Sequence, residues 1–133
     1  MNDIYLPFQI GEQYENWEFD LDILETERVP GCDSYLYNRT TQFIGVVPET
    51  VELIFNLDIL QLVIISLNNC SIHMYHNIST TLLLNFQKRE CEKLEKDTYI
   101  ITENIEIWCS TQLNNTYNIA YGYTHQLNKL LPI

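Results

Sequence analysis

The sequence predicts an α+β fold in a single domain of residues 1–133: an antiparallel sheet of sequential hairpins with one or two covering helices. Three observations lead to this prediction. Apolar and polar residues alternate with a period of two in several segments, turn-forming residues stand between those segments, and helical spacing occurs in only two places. A chain of 133 residues that is 46% hydrophobic is sufficient for one buried core.

The clearest alternation lies in the N-terminal third. Between positions 17 and 23 apolar residues alternate with acids in the run WEFDLDI, which predicts a strand with one buried face and one acidic face. We expect Trp17 and Phe19 to face the core. The Pro-Gly pair at 30–31 predicts a turn, and the two tyrosines of the SYLY run that follows indicate a short second strand.

The middle of the chain predicts a hairpin. VELIFN at 51–56 places alternate apolar residues on one face, and Asn56 to Asp58 supply a turn. LQLVIISL at 60–67 is almost wholly apolar, which is typical of a central strand. From Gln61 to Gln87 there is no Asp, Glu, Lys or Arg, so this region is expected to hold the sheet interior or an uncharged contact surface.

The C-terminal half predicts two helices and another hairpin. Charged residues at i,i+4 spacing favour a helix from about Thr81 to Lys96, although the TTLLL run at its start also fits a strand. Alternation at 105–109 and in YNIAYGY, on either side of an Asn-Asn pair at 114–115, predicts a hairpin. The leucine spacing in THQLNKLL predicts a short terminal helix capped by Thr124.

Composition disfavours several functional classes. A net charge of -11 opposes unaided binding to nucleic acid or to an anionic membrane. Four glycines without a phosphate-binding loop disfavour a nucleotide-dependent enzyme. The start MNDIYLPFQI has no basic n-region, and the most apolar run, 59–67, is too short to span a bilayer. We therefore expect a cytoplasmic protein that does not enter the membrane.

The cysteines give the same indication of compartment. There is no CxxC pair among the four cysteines, Cys32, Cys70, Cys91 and Cys109. This spacing disfavours a zinc ribbon or a redox motif. We predict reduced, mostly buried thiols and no cofactor. Export by an unusual route would instead allow three disulfide pairings.

The excess charge is concentrated in one half of the chain. Residues 1–60 hold twelve acids and two arginines, a net of -10, whereas residues 61–133 have a net charge of -1. Such a cluster serves either a basic partner or solubility alone. Interleaved tyrosines favour a partner, because tyrosine is enriched in binding hot spots. The predicted partner-binding residues are Tyr14, Glu15, Glu18, Asp20, Asp22, Glu25, Glu27, Tyr35 and Tyr37.

The sequence assigns no catalytic residue. Cys70, His73 and His76 form a C-x2-H-x2-H run, a partial zinc set without a fourth ligand, so they are weak metal candidates beside the simpler interpretation as ordinary polar residues. No nucleophile motif surrounds a cysteine, and no carboxylate pair stands out. We predict that the chain is not an enzyme.

The segments LPFQIGEQYENWEF and VELIFNLDILQLVIISL resemble those of small Asn-, Ile- and Tyr-rich immunity proteins of bacterial toxin systems. The resemblance is one of class and composition, and the chain is similar in style to contact-dependent growth-inhibition immunity proteins in particular. It implies a cytosolic single-domain protein that neutralises a cognate toxin, often a basic nuclease, by covering its active site or an adjacent surface. Two alternatives are a phage-type DNA mimic that inhibits a nucleic-acid-binding protein, and a small ligand- or metal-binding domain that uses the uncharged 61–87 region.

Overall fold

The computed structural model describes residues 6–89, 96–110 and 116–130, which hold eight strands and two α-helices. The eight strands form one fully antiparallel sheet, so the predicted α+β fold is confirmed. The elements are β1 (Leu21–Leu24), β2 (Asp33–Tyr37), β3 (Thr50–Asn56), β4 (Ile59–Leu67), α1 (Ile72–Asn85), β5 (Gln87–Arg89), β6 (Lys96–Thr102), β7 (Ile105–Ser110), β8 (Tyr117–Tyr123) and α2 (Thr124–Leu127). The strand order is β1-β2-β3-β4-β8-β7-β6-β5.

The predicted central hairpin is confirmed. β3 and β4 pair from Thr50 with Ser66 to Asn56 with Ile59. Leu57 and Asp58 form the turn with φ values of 50° and 66°, the left-handed pair that a two-residue hairpin turn requires. β4 also pairs with β8, so it lies inside the sheet, and both of its faces are covered. This position explains its nearly all-apolar sequence.

The larger core lies on the face of the sheet that we call the first face. It is formed by alternate residues of the central strands, including Leu53, Val63 and Ile119, all fully buried. α1 covers this face with Ile78 and Leu82. Its other cover comes from the N-terminal segment and the loop after β2, which contribute apolar residues around Phe8 and Phe43.

The opposite side, the second face, has a smaller core. Val29 and Cys32 from the loop between β1 and β2, together with Leu127 of α2, cover apolar residues of β3, β4, β7 and β8. Two carboxylates are buried on this face. Glu52 accepts hydrogen bonds from Arg28, and Glu106 accepts one from Trp108 Nε1 at 3.0 Å.

The prediction for residues 17–23 is wrong over its first four residues. Two 3-10 turns, Tyr14–Asn16 and Glu18–Asp20, precede β1, which begins only at Leu21. The ring of Trp17 packs against Phe8 and Phe55 of the first face, as expected. The turn that follows directs Phe19 outward, so this side chain is 90% exposed instead of buried. Tertiary docking of one aromatic ring overrides the alternating pattern.

The helix predicted from Thr81 to Lys96 is also misplaced. α1 begins at Ile72, five residues after the end of β4, and the Ser71 side chain caps it by accepting a hydrogen bond from the N–H of Met74 at 3.1 Å. It ends at Asn85, and β5 and β6 follow as strands that the sequence analysis missed. Lys88 forms a salt bridge with Asp97 on β6 at 3.3 Å, a cross-strand contact in place of the expected helical pair. Residues 90–95 lie outside the described ranges.

The C-terminal predictions are largely confirmed. β7 and β8 form the second hairpin, although its Asn114-Asn115 turn lies outside the described residues. α2 begins at Thr124, but the Thr124 side chain does not cap it. Its hydroxyl donates instead to the carbonyl of Asn104 at 3.2 Å. Leu127 is buried as expected, Leu130 is half-buried, and Leu131 is not described.

Burial of the cysteines agrees with the sequence analysis where they are described. Cys32, Cys70 and Cys109 are all buried, and Cys91 lies outside the described ranges. Burial raises the pKa of the Cys109 thiol to about 12, so this thiol is protonated at neutral pH. None of the described helices is long and apolar enough to cross a membrane.

Candidate functional site

The predicted acidic residues do not lie on one face of a strand. They wrap around the end of the sheet that β1 forms. Glu15 belongs to a turn that packs on the first face, whereas the register of β1 with β2 and β3 places Asp22 on the second face. Glu25 and Glu27 lie in the loop that crosses toward Val29 on the second face. The acidic side chains therefore surround the edge of the sheet that β1 forms.

Two of the predicted acids are already bonded within the chain. Arg39 Nε donates to the Asp20 carboxylate at 2.7 Å, and this contact raises the pKa of the guanidinium. Asn38 Nδ2 donates to the Asp22 carboxylate at 3.3 Å. These bonds tie the start of β1 to the end of β2, which gives both acids a role in local structure.

The other four acids are exposed and form no hydrogen bond or ion pair with a side chain in the described part of the chain. Their charges are available to an external cation or basic protein surface. We define the acidic edge as these four residues together with the two exposed apolar side chains among them: Glu15, Glu18, Glu25, Glu27, Phe19 and Ile23.

Phe19 and Ile23 are the site residues that sequence reasoning missed. Phe19 is 90% exposed and Ile23 is 74% exposed. Alternation assigned the first to the core, and only the 3-10 turn before β1 shows otherwise. Large exposed apolar side chains rimmed by charge are typical of protein-binding surfaces. In the sequence, the available signal was an acid within two positions on each side of both residues.

The three predicted tyrosines support the acidic edge from beneath. Tyr14 packs on Tyr35 with ring centroids 5.2 Å apart, and both rings contact Phe55 of the core. Tyr37 contacts Phe8 at 4.8 Å. All three tyrosines are half-buried, and burial with the neighbouring Tyr14 and Asp33 raises the pKa of Tyr35. They present only part of their surface to a partner.

A groove of ≈ 270 Å³ lies beside the acidic edge, where the chain leaves β2. Its walls are Tyr37 to Thr41 on one side and Val47 to Val51 on the other. Arg39 is at its rim, held by Asp20.

The weak metal candidates are not assembled into a site. Cys70 is buried, and burial raises the pKa of its thiol. His73 and His76 lie on the exposed side of α1. No group of three His, Cys, Asp or Glu side chains placed to hold a metal occurs among the residues that the structure describes. This helix surface also exposes Ile72 and Leu84.

Comparison with models of known protein families, with curated protein sequences and with solved structures found no match. Function must therefore be argued from the geometry of the acidic edge.

Proposed function

We propose that the chain binds a basic protein through the acidic edge and thereby neutralises it, as the cytoplasmic immunity protein of a nuclease-type toxin. One observation carries the proposal. Phe19 is 90% exposed beside Glu18, which forms no ion pair within the described residues, and the 74% exposed Ile23 lies four residues away. Exposure of a phenylalanine in water is unfavourable, and a partner that covers it recovers the hydrophobic free energy.

The charges of the acidic edge also favour a basic partner. Four carboxylates without a side-chain partner among the described residues raise the local concentration of a basic protein and speed its association. A nuclease needs a positive surface to bind phosphates, and this surface is complementary to the acidic edge. An inhibitor gains from fast capture, because it must bind the toxin before the toxin reaches its nucleic acid.

The packing of Tyr14 and Tyr35 explains how the acidic edge keeps its shape. Tyr14 and Tyr35 are fixed against Phe55, so the turn that displays Phe19 rests on a packed support. Side chains fixed before binding lose less conformational entropy when a partner binds.

The test compares two tagged forms of the chain as baits in extracts of the cells that produce it. The first is the wild type, and the second carries Glu18→Lys, Phe19→Ala and Glu25→Lys. We expect the wild type to retain a stoichiometric basic protein that the variant loses, with the nuclease activity of that protein inhibited on rebinding. Equal retention by both baits, or a retained protein whose activity is unaffected, contradicts the proposal. A captured DNA-binding protein without toxin activity would favour the DNA-mimic alternative.

A further inference from the structure

β1 ends the sheet on one side, and among the described residues it pairs only with β2. The N–H of Asn38 donates to the carbonyl of Asp20 at 2.9 Å. In an antiparallel pair, residues that exchange hydrogen bonds alternate with residues that do not. The bond at Asp20 therefore sets the next bonded residue at Asp22 and leaves Leu21 and Ile23 in non-bonded positions.

The backbone N–H and C=O groups of Leu21 and Ile23 consequently point away from β2. Within the described residues they receive no backbone partner on that outer side. The result is an edge that offers two donors and two acceptors at the spacing of a sheet. The side chain of Ile23 stands beside it on the first face, and the carboxylate of Asp22 stands on the second.

The acids determine what can pair with this edge. A second copy of β1 would bring Asp22 and its neighbouring acids against the same charges, which disfavours pairing of two copies. A segment with lysine or arginine on the second-face side has the opposite charge. An apolar residue on the other side of that segment would cover Ile23.

We propose that the outer edge of β1 binds an extended segment of the partner as an added antiparallel strand, one that alternates apolar and basic side chains. Main-chain hydrogen bonds to Leu21 and Ile23 supply affinity, and the alternating side chains supply specificity. The basic character of the segment rests on the proposed function. The strand geometry rests on the register of β1 alone.

The probe is a capped peptide, Gly-Val-Lys-Val-Lys-Val-Gly, added to the full chain at low salt. In the proposed register two of the three valines lie opposite Leu21 and Ile23, so valine N–H groups point toward β1 and lysine N–H groups point away. Two matched peptides are N-methylated, one at its valines and the other at its lysines. The three peptides share the same side chains and charge.

We expect the parent and lysine-methylated peptides to bind alike and the valine-methylated peptide to bind at least about tenfold more weakly. NMR hydrogen exchange provides a second readout. The amides of Leu21 and Ile23 should exchange about tenfold more slowly in the complex, whereas the amide of Asp22, already bonded to β2, should not change. Equal binding of both methylated peptides, unchanged exchange at Leu21 and Ile23, or no binding of the parent peptide overturns the proposal.

A charge-reversed chain separates this proposal from the proposed function. In the variant Glu18→Lys/Glu25→Lys the backbone edge is intact and only the attraction is reversed. If methylation has no effect while charge reversal abolishes binding, the added strand is wrong and the acidic edge stands. If methylation matters while charge reversal does not, the added strand stands and a basic partner is wrong.

Discussion

The carboxylate of Glu52 accepts two hydrogen bonds from Arg28, one from Nε at 2.8 Å and one from Nη2 at 3.0 Å. The side chains of the pair are only 7% and 18% exposed. Arg28 ends the acidic loop after β1, so this pair fastens the loop that carries Glu25 and Glu27 to β3 on the second face. Glu52 is thus a structural acid, unlike the four acids of the acidic edge.

Removal of Arg28 should therefore destabilise the fold. Arg28→Met leaves the Glu52 carboxylate buried without its partner, and we expect a loss of about 3 kcal/mol in the free energy of unfolding. The double variant Arg28→Met/Glu52→Leu should recover most of this loss because no buried charge remains. Urea denaturation measures both. If Arg28→Met were as stable as the wild type, the ion pair would contribute nothing to the free energy of unfolding.

Charge reversal at the acidic edge should slow partner binding without unfolding the chain. We expect Glu18→Lys/Glu25→Lys to reduce the association rate at least about tenfold at low salt, and the effect to shrink in 1 M salt. Glu49→Lys/Glu103→Lys makes the same change in net charge at exposed sites outside the acidic edge, so it is the matched control. Surface plasmon resonance with the captured partner provides the rates. An equal effect of both pairs would mean that only net charge matters.

Phe19 should contribute to binding and not to stability. Phe19→Ala removes a side chain that is 90% exposed, so the free energy of unfolding should change by less than about 0.5 kcal/mol. Partner affinity should fall about tenfold or more. Leu57 in the turn between β3 and β4 is equally exposed, and Leu57→Ala should leave affinity unchanged. Isothermal titration calorimetry with the captured partner measures the affinity of each variant. Equal losses of affinity in both variants would refute a specific role for Phe19.

Gly122 should tolerate no side chain. It lies opposite Leu62 where β8 meets β4, with a φ of 151°, and a Cβ there would overlap the carbonyl oxygen of Gln61. We expect Gly122→Ala to lower the free energy of unfolding by more than about 2 kcal/mol. Gly31→Ala is an informative comparison, because it shares a positive φ but has open space around it. Thermal unfolding should rank Gly122→Ala well below Gly31→Ala.

Stability should fall in alkali. Burial raises the pKa of Cys109 to about 12 from an ordinary value of 9.0, and burial also raises the pKa values of Tyr99 and Tyr117 above 10.0. Above pH 9 the unfolded chain binds fewer protons than the folded chain, so the free energy of unfolding decreases as pH rises. Each such group contributes up to about 1.4 kcal/mol per pH unit.

Urea denaturation between pH 7 and 11 measures this slope. Cys109→Ala should reduce the slope that begins at pH 9, because one of the three buried groups is gone. A pH-independent free energy of unfolding across that range would contradict the assigned burial of these groups.

Several elements of this fold could be predicted because their signals are local. The β3–β4 hairpin follows from alternation, from the turn at 56–58 and from the apolar run that becomes β4. The second hairpin follows in the same way. The position of α1 was predicted wrongly, although its capping residue Ser71 is present in the sequence. The i,i+4 spacing of the charged residues after position 87 indicated a helix, whereas in the structure Lys88 belongs to β5 and pairs with β6.

The acids that form the acidic edge, and the charge asymmetry that makes it distinctive, are properties of the sequence alone. Only the tertiary structure decided which acids are available to a partner and which apolar side chains accompany them. Asp20 and Asp22 are engaged by Arg39 and Asn38, partners separated by 19 and 16 positions in the chain. Phe19 is exposed because Trp17 docks on the core and so fixes the 3-10 turn Glu18–Asp20, which carries Phe19. Such contacts between distant residues have energies that outweigh local preference, and a single sequence does not reveal which distant residues meet.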